Sequence, residues 1–145
     1  MVLRIISLVA TCVLIGAVVA LGVRNALVGT GPISLSLQLA ALLLVLWARL
    51  TFGWRSFHFL ANPTPGKLVT NGPYQYIRNP IYSGACIVIW TAAAMHWSVL
   101  NAGLALLATL TIVIRIYCEE QLLREAYPEY EAYARNTARL IPFVV

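Results

Sequence analysis

The chain has 145 residues, 61% of them hydrophobic and only 10% charged, with a mean hydropathy of +0.82. A soluble domain is roughly 45–50% apolar, so this composition excludes an ordinary soluble fold and indicates one small integral membrane domain spanning residues 1–145. The net charge of +5 does not point to nucleic acid, because the basic residues are scattered singly along apolar segments and form no dense stripe.

Val2–Val23 and Ile33–Phe52 each match the roughly 20 apolar residues that a spanning helix requires. The first is read as a span and not as a cleaved leader, since it exceeds the usual h-region of roughly 7–15 residues. Trp47, Trp54 and Trp97 are read as interfacial anchors. Pro80–Met95 and Ser98–Tyr117 are two further apolar runs separated only by His96 and Trp97, which predicts a tight antiparallel hairpin with a short first arm. Pro80 suits the first turn of that arm, where its missing N–H costs nothing, and Asn79 suits the N-cap before it.

The predicted fold is therefore all-α, a bundle of about four transmembrane helices. An even number of spans puts both termini on one side. Arg4, Arg55, Lys67, Arg78, Arg124, Arg135 and Arg139 gather there against Arg24 alone on the other, so both termini are expected in the cytoplasm. Arg49 and Arg115 fall near the same ends of their helices, where long stems can snorkel to the surface. After the fourth span, "CEEQLLREAYPEYEAY" (Cys118–Tyr133) reads as an amphipathic cytosolic continuation that Pro128 kinks or ends, and "RLIPFVV" (Arg139–Val145) reads as a tail docked at the interface.

The chain contains no Asp, and its five carboxylates all lie between Glu119 and Glu131. Adjacent glutamates at a membrane surface demand cations. One expectation is two local i,i+4 pairs, Arg115 with Glu119 and Glu120 with Arg124. The other joins the two ends of the hairpin, so that Arg78 and Asn79 meet Glu119 and Glu120, with Tyr74, Tyr76 and Tyr82 as aromatic walls. Cys12, Cys86 and Cys118 with His58 and His96 lack the spacing of a metal site or a disulfide framework, so no metal is expected.

The stretch "GPYQYIRNPIYSG" (Gly72–Gly84), followed by the Glu119–Glu120 pair, Tyr130, Tyr133 and a late "RLIP", resembles the isoprenylcysteine carboxyl methyltransferase and phospholipid methyltransferase superfamily, in its short prokaryotic membrane branch. The resemblance covers about residues 72–142. It implies a helical bundle that encloses S-adenosylmethionine without a nucleotide-binding sheet, in agreement with the lack of a G-x-G-x-x-G stretch. It also implies a prokaryotic inner-membrane location.

The cofactor-binding residues expected on this basis are Tyr74, Arg78, Asn79, Pro80, Tyr82, Gly84, Glu119, Glu120, Tyr130, Tyr133 and Arg139. Arg78 is expected to bind an anion, and Glu119 and Glu120 the ammonium or ribose hydroxyls, with Arg78 and Glu119 assigned to catalysis. The implied reaction is methyl transfer to a hydrophobic acceptor, either an isoprenylcysteine-like carboxylate, a lipid or a lipophilic thiol, with membrane lipids as surroundings. Asn79 stands where many relatives have His, which removes a titratable base, and Tyr127–Pro128 stands where some have Phe-Gly. Two rival expectations are a non-catalytic bundle serving assembly and a transporter-like module. The second requires charges at mid-membrane depth, whereas these lie near the helix ends.

Overall fold

The structure is a computed structural model that describes residues 1–53 and 68–141. Trp54, Arg55, His58, Lys67 and Pro142, to which the sequence assigned roles in anchoring, charge bias or the tail motif, lie outside the described residues. The elements are α1 (Val2–Val23), α2 (Pro32–Phe52), one 3-10 turn (Gly72–Gln75), α3 (Pro80–Met95), α4 (Val99–Ala126) and α5 (Tyr130–Arg135). Among the described residues there is no β-strand, only an isolated parallel bridge between Ile77 and Ala138.

Local chemistry sets the helix boundaries. Pro32 and Pro80 open α2 and α3, where their fixed φ is already helical. Ser98 caps α4, its Oγ accepting from the Asn101 backbone N–H at 3.0 Å. The predicted continuation from Cys118 to Tyr133 is interrupted: α4 stops at Ala126, Tyr127 turns extended before Pro128, and α5 restarts at Tyr130. A proline ring disfavours helical backbone in the residue before it, and Tyr127 is extended there, which ends the long helix.

α1, α2 and α4 are each long and apolar enough to cross a bilayer. α3, with 16 residues, rises about 24 Å, short of the roughly 30 Å hydrocarbon layer. α4, with 28 residues, rises about 42 Å, so its last turns continue past the apolar layer and carry the glutamates.

α1 packs along α4, α2 along α3, and α3 also touches α4. Near the α3–α4 turn the contact is made of small residues: Ala17, Ala26, Ala93, Ala105 and Ala108 cluster with Leu21 and Ile89. Without a hydrophobic driving force between helices in lipid, such close approach is what holds a bundle together. That end is closed by polar ties. Gln38 accepts from Gly29 N–H at 3.0 Å and donates to the Leu27 carbonyl at 3.0 Å and the Val88 carbonyl at 3.2 Å, while Arg24 Nε donates to Asn101 at 2.6 Å. The opposite end, where α1 and α3 begin and α4 ends, is where polar side chains enter the bundle.

Two glycines set that end. Gly72 has a φ of +59°, and a Cβ there would lie 2.5 Å from Thr51 Oγ1. Gly84 lets α3 close on α2: a Cβ would lie 2.5 Å from Val45 Cγ2 and 3.0 Å from the Ala41 carbonyl oxygen. Its place is therefore the α2–α3 contact beneath the site. Gly84→Ala should lower the thermal unfolding midpoint in detergent by the equivalent of about 1–3 kcal/mol, the usual cost of overpacking. An unchanged midpoint would show that α2 and α3 can separate freely here.

Candidate functional site

The centre of the site is Glu120, whose side chain is only 2% exposed. Arg78 Nε donates to Oε1 at 3.2 Å, Arg139 reaches Oε1 at 3.3 Å and Oε2 at 3.0 Å, and Arg124 stands 3.8 Å from Oε2. Asn79 Nδ2 adds a hydrogen bond to Oε1 at 3.3 Å. One buried carboxylate thus draws together the entrance of α3, the last turns of α4 and the tail. Arg124 is shared with Glu131 on α5, at 2.7 Å, and lies over the Tyr130 ring.

The tail is also held through its backbone. Arg78 N–H donates to the Ala138 carbonyl at 2.8 Å, and Ala138 N–H to the Tyr76 carbonyl at 3.0 Å. Arg78 Nη1 donates to the Ala134 and Thr137 carbonyls, Asn79 Nδ2 to the Arg139 carbonyl at 3.2 Å, and Ser83 Oγ to the Leu140 carbonyl. Asn79 does occupy the N-cap position of α3, but its side chain makes no capping bond. The amide is drawn away because a buried carboxylate and a tail carbonyl both accept from it.

Glu119 turns the other way. Its Oε1 accepts from Tyr82 OH at 2.6 Å and from Arg115 Nη2 at 2.9 Å, and its side chain remains 24% exposed. Arg78 and Asn79 therefore meet Glu120 and not Glu119, since adjacent residues on a helix point about 100° apart. Both expected i,i+4 pairs form, but each is one bond within a larger network. Arg115 does not snorkel: it is buried, with Nε donating to Tyr82 OH at 2.8 Å and Nη1 to Thr11 Oγ1 on α1.

Among the aromatic candidates, Tyr130 is 1% exposed and packs edge-on against Tyr133, while Tyr133 OH donates to the Tyr74 carbonyl at 2.7 Å. Tyr76 is exposed. Pro80 is buried at the first turn of α3 beside Asn79. Burial, followed by the Glu120 charge, pushes the Tyr130 phenol up to about 12, against the lowering effect of Arg78, Arg124 and Arg139. Burial pushes Tyr74 up to about 12 as well, with Arg49 lowering and Glu119 raising it, and burial raises Tyr133 further. These three phenols stay protonated at neutral pH and serve as hydrogen-bonding walls, not as bases.

The sequence placed Arg78 and Asn79 against both glutamates with Tyr82 as a wall; the structure gives Arg78 and Asn79 to Glu120, joined there by Arg139, and gives Tyr82 to Glu119. Thr11 escaped sequence reasoning, because a lone Thr in a spanning helix usually satisfies itself on its own backbone, as its bond to the Ser7 carbonyl also does here. For Arg115 the expected i,i+4 pair with Glu119 forms, and only the snorkelling expectation is overturned, because its guanidinium is held inside the bundle by Tyr82 and Thr11.

A bundle of long apolar helices with a carboxylate pair, a cation cluster and a tail strapped across one end describes a membrane protein with a polar candidate site at that end. The model of the phospholipid methyltransferase family covers residues 26–130, and the chain belongs to that family. With three long apolar helices among the described residues, it is an integral membrane protein.

Its relatives include a methanethiol S-methyltransferase of Crocosphaera subtropica, 38% identical over 82 residues, or 56% of this chain and 31% of that protein. The nickel-cobalt-cadmium resistance protein NccN of Alcaligenes xylosoxydans is 39% identical over 77 residues, 52% of this chain and 36% of that protein. The cobalt-zinc-cadmium resistance protein CzcN of Cupriavidus metallidurans is 34% identical over 85 residues, 58% of this chain and 39% of that protein. The chain thus spans about a third of the length of these relatives. No solved structure matches it.

The difference in burial between Glu120 and Arg139 predicts an ordering. Glu120→Gln leaves three arginines around a neutral amide and should weaken tail docking by about 3–5 kcal/mol, as for a broken buried ion pair. Arg139 is 52% exposed, so Arg139→Ala should cost only about 1 kcal/mol. Limited trypsin cleavage at Arg135 measures both. Faster cleavage in Arg139→Ala than in Glu120→Gln would mean that the carboxylate is not what holds the tail.

Proposed function

We propose that this protein is an S-adenosylmethionine-dependent membrane methyltransferase that acts on a hydrophobic acceptor. The observation that carries the reading is the division of labour within the glutamate pair: Glu120 is sealed by arginines and holds the tail in place, while Glu119, oriented by Tyr82 and Arg115, keeps part of its carboxylate exposed. The family and the methanethiol S-methyltransferase relative support the same reading.

The donor set fits the cofactor. Arg139, half exposed beside Glu120, suits the cofactor's carboxylate, with Arg78 behind it fixed by its bonds to Glu120 and the tail. Glu119 suits the ammonium or the ribose hydroxyls, and the neutral phenols of Tyr74, Tyr130 and Tyr133 supply polarisable walls around them. When bound, S-adenosylmethionine supplies a methyl group activated on a sulfonium. The protein's share is positioning and exclusion of water, since the positive charge is neutralised as the methyl leaves.

Three consequences follow for the acceptor and its access. The site lies at the end of a bundle, so a lipophilic acceptor reaches it through the bilayer. Asn79 cannot take a proton, so acceptors already anionic at neutral pH, a carboxylate or an acidic thiol, are preferred over a protonated amine. The positive-inside bias supports putting the site and both termini on the cytoplasmic face of a prokaryotic inner membrane, on the side of a cytosolic cofactor. Reporter fusions after Arg135 should then read cytoplasmic and at Thr30 external; the reverse would separate the site from its cofactor.

The rival reading, a bundle without catalysis, draws on one observation: Arg78 and Glu120 are both occupied by the chain's own tail. Transfer of a labelled methyl group to matched carboxylate, thiol and amine acceptors on short and long chains separates the two readings. The expected result is turnover of carboxylate or thiol, with a Michaelis constant that falls as the chain lengthens by about 0.8 kcal/mol per buried methylene. Absence of transfer to every acceptor favours the rival, and amine-only turnover contradicts the assigned chemistry.

A further inference from the structure

α1 lies outside the residues that the family model matches, yet it reaches the site. Ser7 and Thr11 are buried on α1, which packs along α4. The Thr11 hydroxyl donates its proton to the Ser7 carbonyl at 2.7 Å, leaving its lone pairs to accept from Arg115 Nη1. The Tyr82 hydroxyl donates to Glu119 Oε1 at 2.6 Å and accepts from Arg115 Nε at 2.8 Å. Arg115 Nη2 donates to the same carboxylate oxygen at 2.9 Å. Every proton in this chain of bonds has one consistent direction. A surface i,i+4 pair needs none of this, because an exposed arginine keeps its head in water and is free to turn.

We propose that Arg115 is a positioning residue for Glu119, with Thr11 as its anchor on α1. The planar guanidinium has a fixed fork of donors; held by Thr11 on one side and Tyr82 on another, it determines where Glu119 Oε1 sits. The carboxylate's remaining lone pairs then point consistently for the ammonium or ribose hydroxyls of S-adenosylmethionine. This proposal rests on the methyltransferase reading, and it gives α1 a part in the site.

The test is a double-mutant cycle read by titration calorimetry of S-adenosylmethionine with the full chain in lipid nanodiscs. Thr11→Val is nearly isosteric and removes the acceptor for Arg115 together with the donor to the Ser7 carbonyl, which the helix ladder of α1 already serves, so it should fold; thermal unfolding of each variant verifies this. Thr11→Val is expected to weaken binding about three- to tenfold, less than the loss of a charge-assisted hydrogen bond made to the cofactor itself, because Arg115 acts through Glu119, and Glu119→Gln to weaken it more. In the Glu119→Gln background Thr11→Val should add nothing, because no carboxylate is left to orient. Arg115→Lys, which cannot span the three partners, should behave like Thr11→Val or worse. Wild-type affinity in Thr11→Val, or losses that simply add in the double variant, would overturn the positioning role while leaving the methyltransferase reading standing. A wild type that binds no S-adenosylmethionine removes that reading and this proposal with it.

Discussion

A carboxylate sealed inside protein at a membrane surface is stable only if cations follow it there, and the arrangement around Glu120 follows from that requirement. The desolvation cost of a buried ion is several kcal/mol and is offset only by well-aligned partners. Glu120 recruits them from three places in the chain: Arg78 before α3, Arg124 one turn further along α4, and Arg139 in the tail. Removing the carboxylate would leave three cations in mutual repulsion. The tail is therefore part of the bundle end, and the tail carbonyls of Ala134, Thr137 and Arg139 find donors in the same arginine and asparagine.

The rest of the fold serves to present this end. At the far side, alanines allow α1, α3 and α4 to approach closely, and Gln38 and Asn101 tie down the loop and the hairpin turn. At the near side the small residues give way to Tyr82, Arg115 and Thr11. The far end is tightly packed and its polar side chains are spent on tying the loop and the turn, whereas the near end gathers its charged side chains where a ligand is expected. The mismatch in length between α3 and α4 has the same effect, since the longer helix carries both glutamates beyond the apolar layer to the level of the α3 entrance.

Much of this was legible in the sequence, and for identifiable reasons. Spanning helices are written as long apolar runs, and Pro80 marks a helix start that the structure keeps. The meeting of Arg78 and Asn79 with the glutamate pair followed from the hairpin alone, because a two-residue turn forces the outer ends of its arms together. Three things were not legible. The sequence could not say which of two adjacent glutamates faces α3, since that depends on the rotation of α4 about its own axis. It could not show that Asn79 abandons the capping bond, because only the placement of Glu120 and the Arg139 carbonyl makes the alternative available. Nor could it show that Arg115 faces α1, since Thr11 and Arg115 are separated by 104 positions and nothing local to either records the contact.

The central claim is that the segment before α3, the glutamate pair and the tail form one cofactor site. Hydrogen–deuterium exchange of the wild-type protein in nanodiscs, with and without S-adenosylmethionine, tests it most directly, since exchange reports local opening residue by residue. The account predicts that the cofactor slows exchange together in residues 72–84 and 130–141 and leaves the Arg24–Gly31 loop at the opposite end unchanged. Protection confined to one of the two segments, or centred on the opposite end, would contradict it.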